Sequence, residues 1–300
     1  MITMKKSPLE ILEKYRERVN SQLESYLSKD SANETYQSEL INIMSYSVLA
    51  GGKRFRPILS YTIASLFDIK PEKVDSSACA IELIHIYSLI HDDLPAMDDD
   101  DIRHNQPSLH KVYGDAQAIL AGDALQALAF KVITSDELID SNTKISLLNL
   151  LATSSYEMAD GQSIDLSIVS KEVNIELLNN MHKKKTGSLI SCAVKLGLLL
   201  NPNTSQKDSE ILEVYAGKIG LAYQVQDDVL DITTSDEIMG KNQNSDMKKS
   251  KPSYPSILGI KESIKIYKSL YEEALDIISF LSVDEEPLRK LTKKLMQRSF

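Results

Sequence analysis

Apolar residues recur every three or four positions along almost the whole chain, and this spacing constrains the fold more than any other feature. The first run contains Leu9, Leu12, Tyr15, Val19 and Leu23, which share one face of a helix. Convincing β-strand alternation is absent from the sequence. The spacing therefore predicts an all-α bundle of about ten or more helices. Further runs cover residues 38–49, 57–67, 73–91, 115–133, 143–159, 172–182, 187–200, 208–232, 255–281 and 285–298.

Residues that interrupt helices are scarce. The 300-residue chain has 11 glycines and 9 prolines, fewer than the usual shares of roughly 7% and 5%. Ser7 and Pro8 suit the cap and first position of a helix, so the first helix is expected to begin there. Neither a repeat nor a linker divides the sequence, and we predict one domain over residues 1–300. The stretch from Thr233 to Pro255 lacks apolar spacing and is expected to be a functional or disordered loop.

The charge balance limits the class of partner. The formal net charge is -9, whereas a nucleic-acid-binding surface needs clustered lysine and arginine, so no nucleic-acid partner is expected. The N-terminus lacks a signal-peptide core, and no run of about 18 apolar residues occurs. These features favour a cytoplasmic protein without stable membrane insertion. Cys79 and Cys192 lie in apolar stretches without metal-type spacing, and we expect both to be core residues.

One acidic cluster lies near the end of a predicted helix. We call Asp227-Asp228-Val229-Leu230-Asp231 the second aspartate cluster. Asp227 and Asp231 are four residues apart and share a helix face, while Asp228 is turned by about a hundred degrees from Asp227. Like charges so placed repel, and a bound cation would reverse that penalty. Taken alone, the pattern also fits a solvated helix end.

Another acidic cluster follows an apolar helix, and we call residues 92–101 the first aspartate cluster. It holds six carboxylates in ten residues. Asp92 and Asp98 would lie on different faces of an unbroken helix, but Pro95 predicts a bend that brings Asp98 back beside Asp92. Such oxygen ligands suit Mg²⁺, whereas a calcium loop beginning at Asp98 would need glycine where Arg103 stands. Asp99, Asp100 and Asp101 are expected to be solvated neighbours.

The two clusters are predicted to form opposite walls of one central cavity, in which bound metal would hold a polyphosphate. Nucleotide phosphoryl transfer is disfavoured, because Gly51-Gly52-Lys53-Arg54 does not match the P-loop pattern. Each basic residue, taken alone, could be a solvated surface charge. Several of them lie beside glycines or acidic clusters, however, and together they indicate anion-binding sites. These residues are Lys53, Arg54, Arg56, Arg103, His104, Lys183, Lys184, Lys185, Lys241, Lys248, Lys249 and Lys251.

The ordered motifs resemble those of the trans-polyprenyl diphosphate synthases, and in particular the bacterial short-chain type. The resemblance covers roughly residues 38–298 and implies the helical isoprenoid synthase fold. The motifs are Gly51-Gly52-Lys53-Arg54-x-Arg56-Pro57, Ile84-His85-x-Tyr87-Ser88-Leu89-Ile90-His91-Asp92-Asp93-Leu94-Pro95-Ala96-Met97-Asp98, Ala121-Gly122-Asp123-Ala124-Leu125, Gly161-Gln162-x-x-Asp165, Lys185-Thr186-Gly187, Tyr223-Gln224-x-x-Asp227-Asp228-x-x-Asp231, Gly240-Lys241, and Asp246 with Lys251.

The resemblance implies a role for each matching residue. About three Mg²⁺ ions would bind an allylic diphosphate, with Mn²⁺ as a possible substitute; the implied metal ligands are Asp92, Asp93, Asp98, Asp227, Asp228 and Asp231. Arg103, Lys185 and Lys241 would contact the allylic diphosphate, and Thr186, Gln224 and Lys251 would line its pocket. Lys53, Arg56 and His85 would bind isopentenyl diphosphate. Lys185, Thr186 and Gln224 are implied at the reacting centre, and the family is typically homodimeric.

Product length is predicted from the region around the first aspartate cluster. Tyr87 stands five residues before Asp92, roughly 7.5 Å along a helix, and Pro95-Ala96 lies between Asp93 and Asp98. These features resemble enzymes that stop at fifteen carbons, so the expected reaction joins isopentenyl diphosphate to dimethylallyl and geranyl diphosphates to give (2E,6E)-farnesyl diphosphate. Tyr87 would form the floor of the chain pocket, although an ordinary core aromatic remains the alternative.

Two departures and three other functions are weighed against this prediction. His104 stands where the family commonly has a second arginine that contacts isopentenyl diphosphate, so we expect a weaker and more pH-dependent site. Asp160 replaces a glycine and is expected to alter the local turn. A geranylgeranyl diphosphate synthase is the nearest alternative. A terpene cyclase would not need Lys53 and Arg56, and a non-catalytic synthase subunit would typically lose an aspartate cluster.

Overall fold

The computed structural model describes residues 8–31, 39–201, 203–233 and 251–298, and within these ranges the chain is almost wholly helical. The predicted all-α class is confirmed. A 3₁₀ turn at Pro71–Lys73 and a π turn at Lys183–Gly187 connect neighbouring helices. The helices are α1 (Pro8–Ser31), α2 (Glu39–Val48), α3 (Phe55–Leu66), α4 (Asp75–Asp92), α5 (Leu109–Tyr113), α6 (Asp115–Thr134), α7 (Ser141–Ile168), α8 (Ile175–His182), α9 (Ser188–Leu199), α10 (Gln206–Thr233), α11 (Tyr254–Leu258), α12 (Ile260–Ile278) and α13 (Glu286–Met296).

Two predicted helices have different bounds in the structure. The run at 143–159 belongs to α7, which continues to Ile168 because its polar last turns pack against the π turn instead of facing solvent. The run at 255–281 is divided into α11 and α12 at Gly259, whose φ of 83° a residue with a side chain rarely adopts. Apolar spacing continues across this glycine, so periodicity alone predicts one helix.

A short hairpin was not predicted. Strand β1 (Ile102–Arg103) pairs antiparallel with β2 (Gln106–Pro107). The two turn residues, His104 and Asn105, have φ values of 51° and 62°, as a two-residue turn of the I′ type requires. Strands of two residues are too short to produce an alternating pattern. The hairpin directs Arg103 and His104 towards the end of α4.

Helix α4 lies at the centre of the molecule and carries the start of the first aspartate cluster. Its first ten residues are all buried, and it packs closely against α6 through small side chains. A Cβ atom at Gly122 would lie 2.1 Å from Nε2 of His91. Cys79 and Cys192 are buried, as predicted, and burial raises the pKa of the Cys192 thiol to about 12.

Among the described helices, α6 alone is long and apolar enough to cross a membrane by length and composition. Core helices of other proteins pass the same test, and eight residues of α6 are buried inside this fold. On its other face, Ile119 and Leu120 are 45% and 51% exposed. Helix α6 is thus part of the core and presents one apolar face outward.

Candidate active site

A cavity of about 700 Å³ lies between the two aspartate clusters. The site residues predicted from the sequence converge on it from five separate parts of the chain. Tyr87 and Asp93 are not among the described residues that line it, and the prediction for Lys241 falls outside the described residues. The predicted residues that do line the cavity are Lys53, Arg56, His85, Asp92, Asp98, Arg103, His104, Lys185, Thr186, Gln224, Asp227, Asp228, Asp231 and Lys251.

The bend predicted at Pro95 is present. Helix α4 ends at Asp92, and after the turn the backbone N–H of Asp98 donates to the Asp92 carbonyl at 2.8 Å. This bond places the two carboxylates side by side. Burial raises the pKa of Asp92 to about 6, and the neighbouring Asp98 acts in the same direction. Lys185 acts in the opposite direction, so burial is the main cause of the shift.

Asp93, predicted to bind metal, contacts Arg103 and does not line the main cavity. Its side chain is 4% exposed, and the Nε atom of Arg103 donates to its two oxygens at 3.1 and 3.3 Å. A smaller neighbouring cavity, rather than the main one, has Asp93 in its wall. Asp100 also differs, because it pairs with Arg103 at 3.4 Å instead of being fully solvated. Asp93 and Asp100 thus hold Arg103 in place.

The second aspartate cluster forms the opposite wall, at the end of α10. Asp228 accepts from the Gln224 amide at 3.0 Å and from the Tyr254 backbone N–H at 3.0 Å. Nε2 of the buried His182 lies 3.3 Å from the same carboxylate. Asp227 is more exposed and pairs with Arg298, whose Nη2 atom is 2.6 Å from its oxygen. Asp228 is therefore more firmly positioned than Asp227.

A π turn presents Lys185 and Thr186 to the cavity. The hydroxyl of Thr186 donates to Gln224 at 2.8 Å, and Gln224 in turn donates to Asp228. The turn lies directly against α7 because Gly161 has no side chain: a Cβ there would be 2.2 Å from the backbone nitrogen of Lys185. The close approach of α7 to the turn that carries Lys185 and Thr186 thus depends on Gly161, 24 positions before Lys185 in the chain.

Two lysines share one carboxylate on the floor of this region. Asp165 of α7 accepts from Lys185 at 2.6 Å and from Lys251 at 2.9 Å, through the same oxygen. Lys251 also donates to Asp98 at 2.6 Å. The sequence motif contained Asp165, but no role was assigned to it. Asp160, the departure noted beside this motif, pairs with Lys184 outside the cavity.

Cations and two histidines line the other end of the cavity. Gly51 and Gly52 have φ values of 98° and 112°, a backbone that glycine permits, and this turn precedes α3. Burial, followed by the nearby arginines, lowers the pKa of His85 well below its usual value, and burial and Arg103 lower that of His104. Both shifts favour the neutral imidazole. Arg56 therefore provides more positive charge here than either histidine.

Arg54 lines the cavity, but its guanidinium makes structural hydrogen bonds. Its guanidinium is buried and donates to Glu82 of α4 at 2.9 Å, to Asn20 of α1 at 2.9 Å, and to the carbonyl of Val48 at 2.5 Å. These bonds tie three helices to the glycine turn. The inclusion of Arg54 among the anion-binding cations is therefore not supported by its contacts.

Tyr87 is half-buried on α4 and stands edge-on to His91, with ring centroids 5.5 Å apart. The main cavity is instead lined on α4 by residues such as Ile86 and Leu89. The role of Tyr87 as a pocket floor therefore stays a prediction.

The closest metal-ligand geometry among the described residues lies elsewhere. Oxygens of Asp99 and Asp101 and a ring nitrogen of His110 lie within 4.8 Å of one another. Lys111 already contacts both carboxylates, at 3.8 and 2.7 Å, and both carboxylates are exposed. This surface group is a salt bridge, and the expected solvation of Asp99 and Asp101 is consistent with it.

At one end of the cavity, two acidic walls face each other with lysines between them. The other end of the cavity is cationic. Residues 37–280 match the Polyprenyl synthetase family. The chain belongs to this family. This polyprenyl synthetase is 40% identical to the farnesyl diphosphate synthase of Escherichia coli (strain K12) over 267 residues, which are 87% of this chain and 89% of that protein. It is 42% identical to the geranylgeranyl diphosphate synthase of Cyanophora paradoxa over 258 residues, 85% and 86% of the two chains.

A solved structure agrees with the fold of this polyprenyl synthetase. The geranyltransferase from Helicobacter pylori complexed with magnesium and isoprenyl diphosphate is 29% identical, with a TM-score of 0.85 and coverage of 98% of both chains. The family, the all-α fold and the enzyme class of trans-prenyltransferase, each predicted from the motifs, are confirmed.

Proposed function

We propose that the protein joins isopentenyl diphosphate to dimethylallyl and geranyl diphosphates and releases (2E,6E)-farnesyl diphosphate. One observation carries the proposal: the cavity has two chemically different ends, an acidic end suited to metal-bound diphosphate and a cationic end suited to a second diphosphate. A terpene cyclase needs only the acidic end. The printed names of several bacterial relatives, farnesyl diphosphate synthase, support the same product.

Magnesium fits the acidic end. Asp92, Asp98, Asp227, Asp228 and Asp231 would hold it, since all five line the cavity and offer the oxygen ligands that Mg²⁺ prefers. Burial, with a smaller contribution from Asp98, raises the pKa of Asp92, and a bound cation would favour its ionised form. When bound, Mg²⁺ supplies charge that stabilises a leaving diphosphate. We propose about three ions, with Mn²⁺ able to substitute. Asp93 is better assigned to holding Arg103.

The protein side chains then act on the allylic substrate as fixed charges and as walls. Lys185 and Lys251 lie where the departing diphosphate gains negative charge, and Arg103 approaches from the first aspartate cluster. The C–O bond of the allylic diphosphate breaks with its electron pair on oxygen, and the isopentenyl double bond forms the new C–C bond. The proton lost in the last step passes to the released diphosphate, so no side-chain base is assigned.

Thr186 and Gln224 form a neutral polar pair beside the reacting carbon. Because Gln224 accepts from Thr186 and donates to Asp228, its amide is fixed in one orientation. Apolar side chains that include Phe55, Ile86 and Leu89 line the same cavity and keep water from a carbocation. Stacking of Phe55 on Tyr223, with ring centroids 5.6 Å apart, stiffens that wall.

The cationic end would bind isopentenyl diphosphate. Lys53, Arg56, His85 and His104 line it, and Arg56 has a buried Nε atom with no partner among the described residues. A buried unpartnered donor is costly unless a ligand satisfies it. An incoming diphosphate oxygen would do so.

Three further properties belong to this proposal. The chain would form one domain, because one core cluster spans helices from α1 to α13, and the second cluster, which holds buried residues of α8 and α11, shares α7 and α10 with it. It would act in the cytoplasm without stable membrane insertion. It would also form a homodimer, and the exposed apolar face of α6, with Ile119 and Leu120, is the surface best suited to a second copy. Light scattering of the purified protein tests the dimer.

Incubation with Mg²⁺, isopentenyl diphosphate and each of dimethylallyl, geranyl and farnesyl diphosphates tests the reaction. The first two primers should yield a fifteen-carbon product, and farnesyl diphosphate should be extended little. Efficient extension of farnesyl diphosphate to twenty carbons would favour the geranylgeranyl alternative. Cyclised product without use of isopentenyl diphosphate would overturn the proposal.

A matched pair of variants connects the reaction to the cavity. Asp92→Asn removes a charge from the acidic wall and should lower kcat/KM by at least about 100-fold. Asp99→Asn makes the same chemical change at an exposed residue of the same cluster. The second variant should retain the activity of the wild type, and equal losses in both would contradict the assignment of the wall.

A further inference from the structure

Lys251 contacts one of the carboxylates that the proposed function assigns to magnesium. Its ammonium is 2.6 Å from Asp98 and 2.9 Å from Asp165, and all three side chains are largely buried, with 8%, 13% and 6% exposed. An ammonium group and a divalent cation compete for the same carboxylate oxygen. The Lys251 ammonium therefore competes with a divalent metal ion for the Asp98 carboxylate.

Asp165 provides Lys251 with a second carboxylate partner. Its one oxygen accepts from both Lys251 and Lys185. Burial opposes ionisation of Asp165, but the two ammonium groups outweigh it and lower the pKa to about 2. The carboxylate is thus charged at every working pH. Without that charge, the aspartates of the first cluster would become the nearest counter-ions of both ammonium groups among the described residues.

We propose that Asp165 is a positioning residue that competes with Asp98 for the Lys251 ammonium and so sets the affinity of the first aspartate cluster for divalent metal. The inference rests on the proposed function only in taking Asp98 as a metal ligand. When metal occupies Asp98, Asp165 retains Lys251 within reach of the bound diphosphate. Asp165 thus allows one lysine to serve the substrate without blocking the metal.

Direct titration with Mn²⁺ alone, followed by electron paramagnetic resonance, tests the inference without turnover. Asp165→Asn keeps the size and an acceptor oxygen but removes the charge. It should weaken Mn²⁺ binding by about tenfold, the effect of one charge-assisted hydrogen bond. Lys251→Met should tighten binding, and Asp165→Asn combined with Lys251→Met should bind Mn²⁺ more tightly than Asp165→Asn alone. This reversal distinguishes competition from damage to the fold.

Asp160→Asn is the matched control. Asp160 lies on the same helix and pairs with a lysine of the same π turn, but outside the cavity. Its variant should bind Mn²⁺ like the wild type. Equal Mn²⁺ binding by wild type and Asp165→Asn would overturn the inference, as would a double variant as weak as Asp165→Asn. If Asp165→Asn does not fold, Lys251→Met alone tests the inference. Unchanged or weaker Mn²⁺ binding by Lys251→Met would contradict competition between Lys251 and the metal.

The Mg²⁺ concentration for half-maximal turnover is the second readout and should follow the same order in the five proteins. The two proposals can fail separately. Wild-type protein that forms no prenyl product but shows the Mn²⁺ pattern would refute the proposed reaction alone. Active wild-type protein with no effect of Asp165→Asn on Mn²⁺ would refute only the role of Asp165.

Discussion

Replacement of Gly161 by alanine tests how the site depends on contact between α7 and the π turn. The added Cβ would lie 2.2 Å from the Lys185 nitrogen and 2.6 Å from its Cα atom, whereas ordinary contacts begin at 3.4 Å. To restore an ordinary contact distance, the Cβ atom and the Lys185 nitrogen must move apart by about 1.2 Å. Both atoms belong to the backbone, so no side-chain rotation removes the clash.

The displacement would move Lys185 and Thr186, which the proposed reaction uses. A misplacement of about 1 Å costs about 100-fold in rate when it moves a reacting group. We therefore expect kcat/KM for geranyl diphosphate to fall by about that factor, because Lys185 and Thr186 move together. Overpacking of a buried contact destabilises by about 2 kcal/mol, and Tm should fall by roughly 4 °C.

Steady-state kinetics and thermal unfolding measure the two effects. Gly217→Ala is the control, since Gly217 is exposed in α10 and a Cβ there meets nothing within 4 Å. That variant should gain about 1 kcal/mol from helix propensity and keep full activity. A Gly161→Ala enzyme that retains wild-type kcat/KM and Tm would refute the argument that this glycine positions the turn.

Three other changes have defined outcomes. Tyr87→Ala should lengthen the product towards twenty carbons, as measured by chromatography of the products; an unchanged distribution would remove Tyr87 as the floor. In wild type, the KM for isopentenyl diphosphate should fall as pH is lowered below about 6.5, because burial lowers the pKa of His104 and the imidazole gains its proton only there. His104→Arg should flatten that dependence and lower the KM at pH 8, and identical profiles would refute the role. Cys79 and Cys192 are buried with raised thiol pKa values, so neither should react with a thiol reagent at pH 8 until the protein unfolds.

Local chemistry made much of the fold predictable. Apolar spacing identified the long helices, because a helix repeats its faces whatever its neighbours are. It failed at Gly259 and in the hairpin at residues 102–107, where single backbone angles decide the structure. The bend at Pro95 was predictable since proline itself interrupts a helix.

Some residues of the site could likewise be predicted from the local sequence, and others could not. Asp92, Asp98 and Asp227 were identified from spacing, because a shared helix face or a proline bend is a property of the local chain. Asp93 was assigned to metal by its neighbours in sequence, but Arg103 holds it outside the main cavity. No pattern around Arg298 indicated that its side chain would contact Asp227, 71 positions earlier.

The sequence by itself determined the helices, the two aspartate clusters and the family, because each depends on residue type and short spacing. Only the tertiary structure decided which charges meet. Asp165, Lys185 and Lys251 come from three separate segments, and their pairing depends on how closely α7 approaches the π turn at Gly161. Electrostatic energy depends on distance and burial, and for residues far apart in the chain both are set by packing.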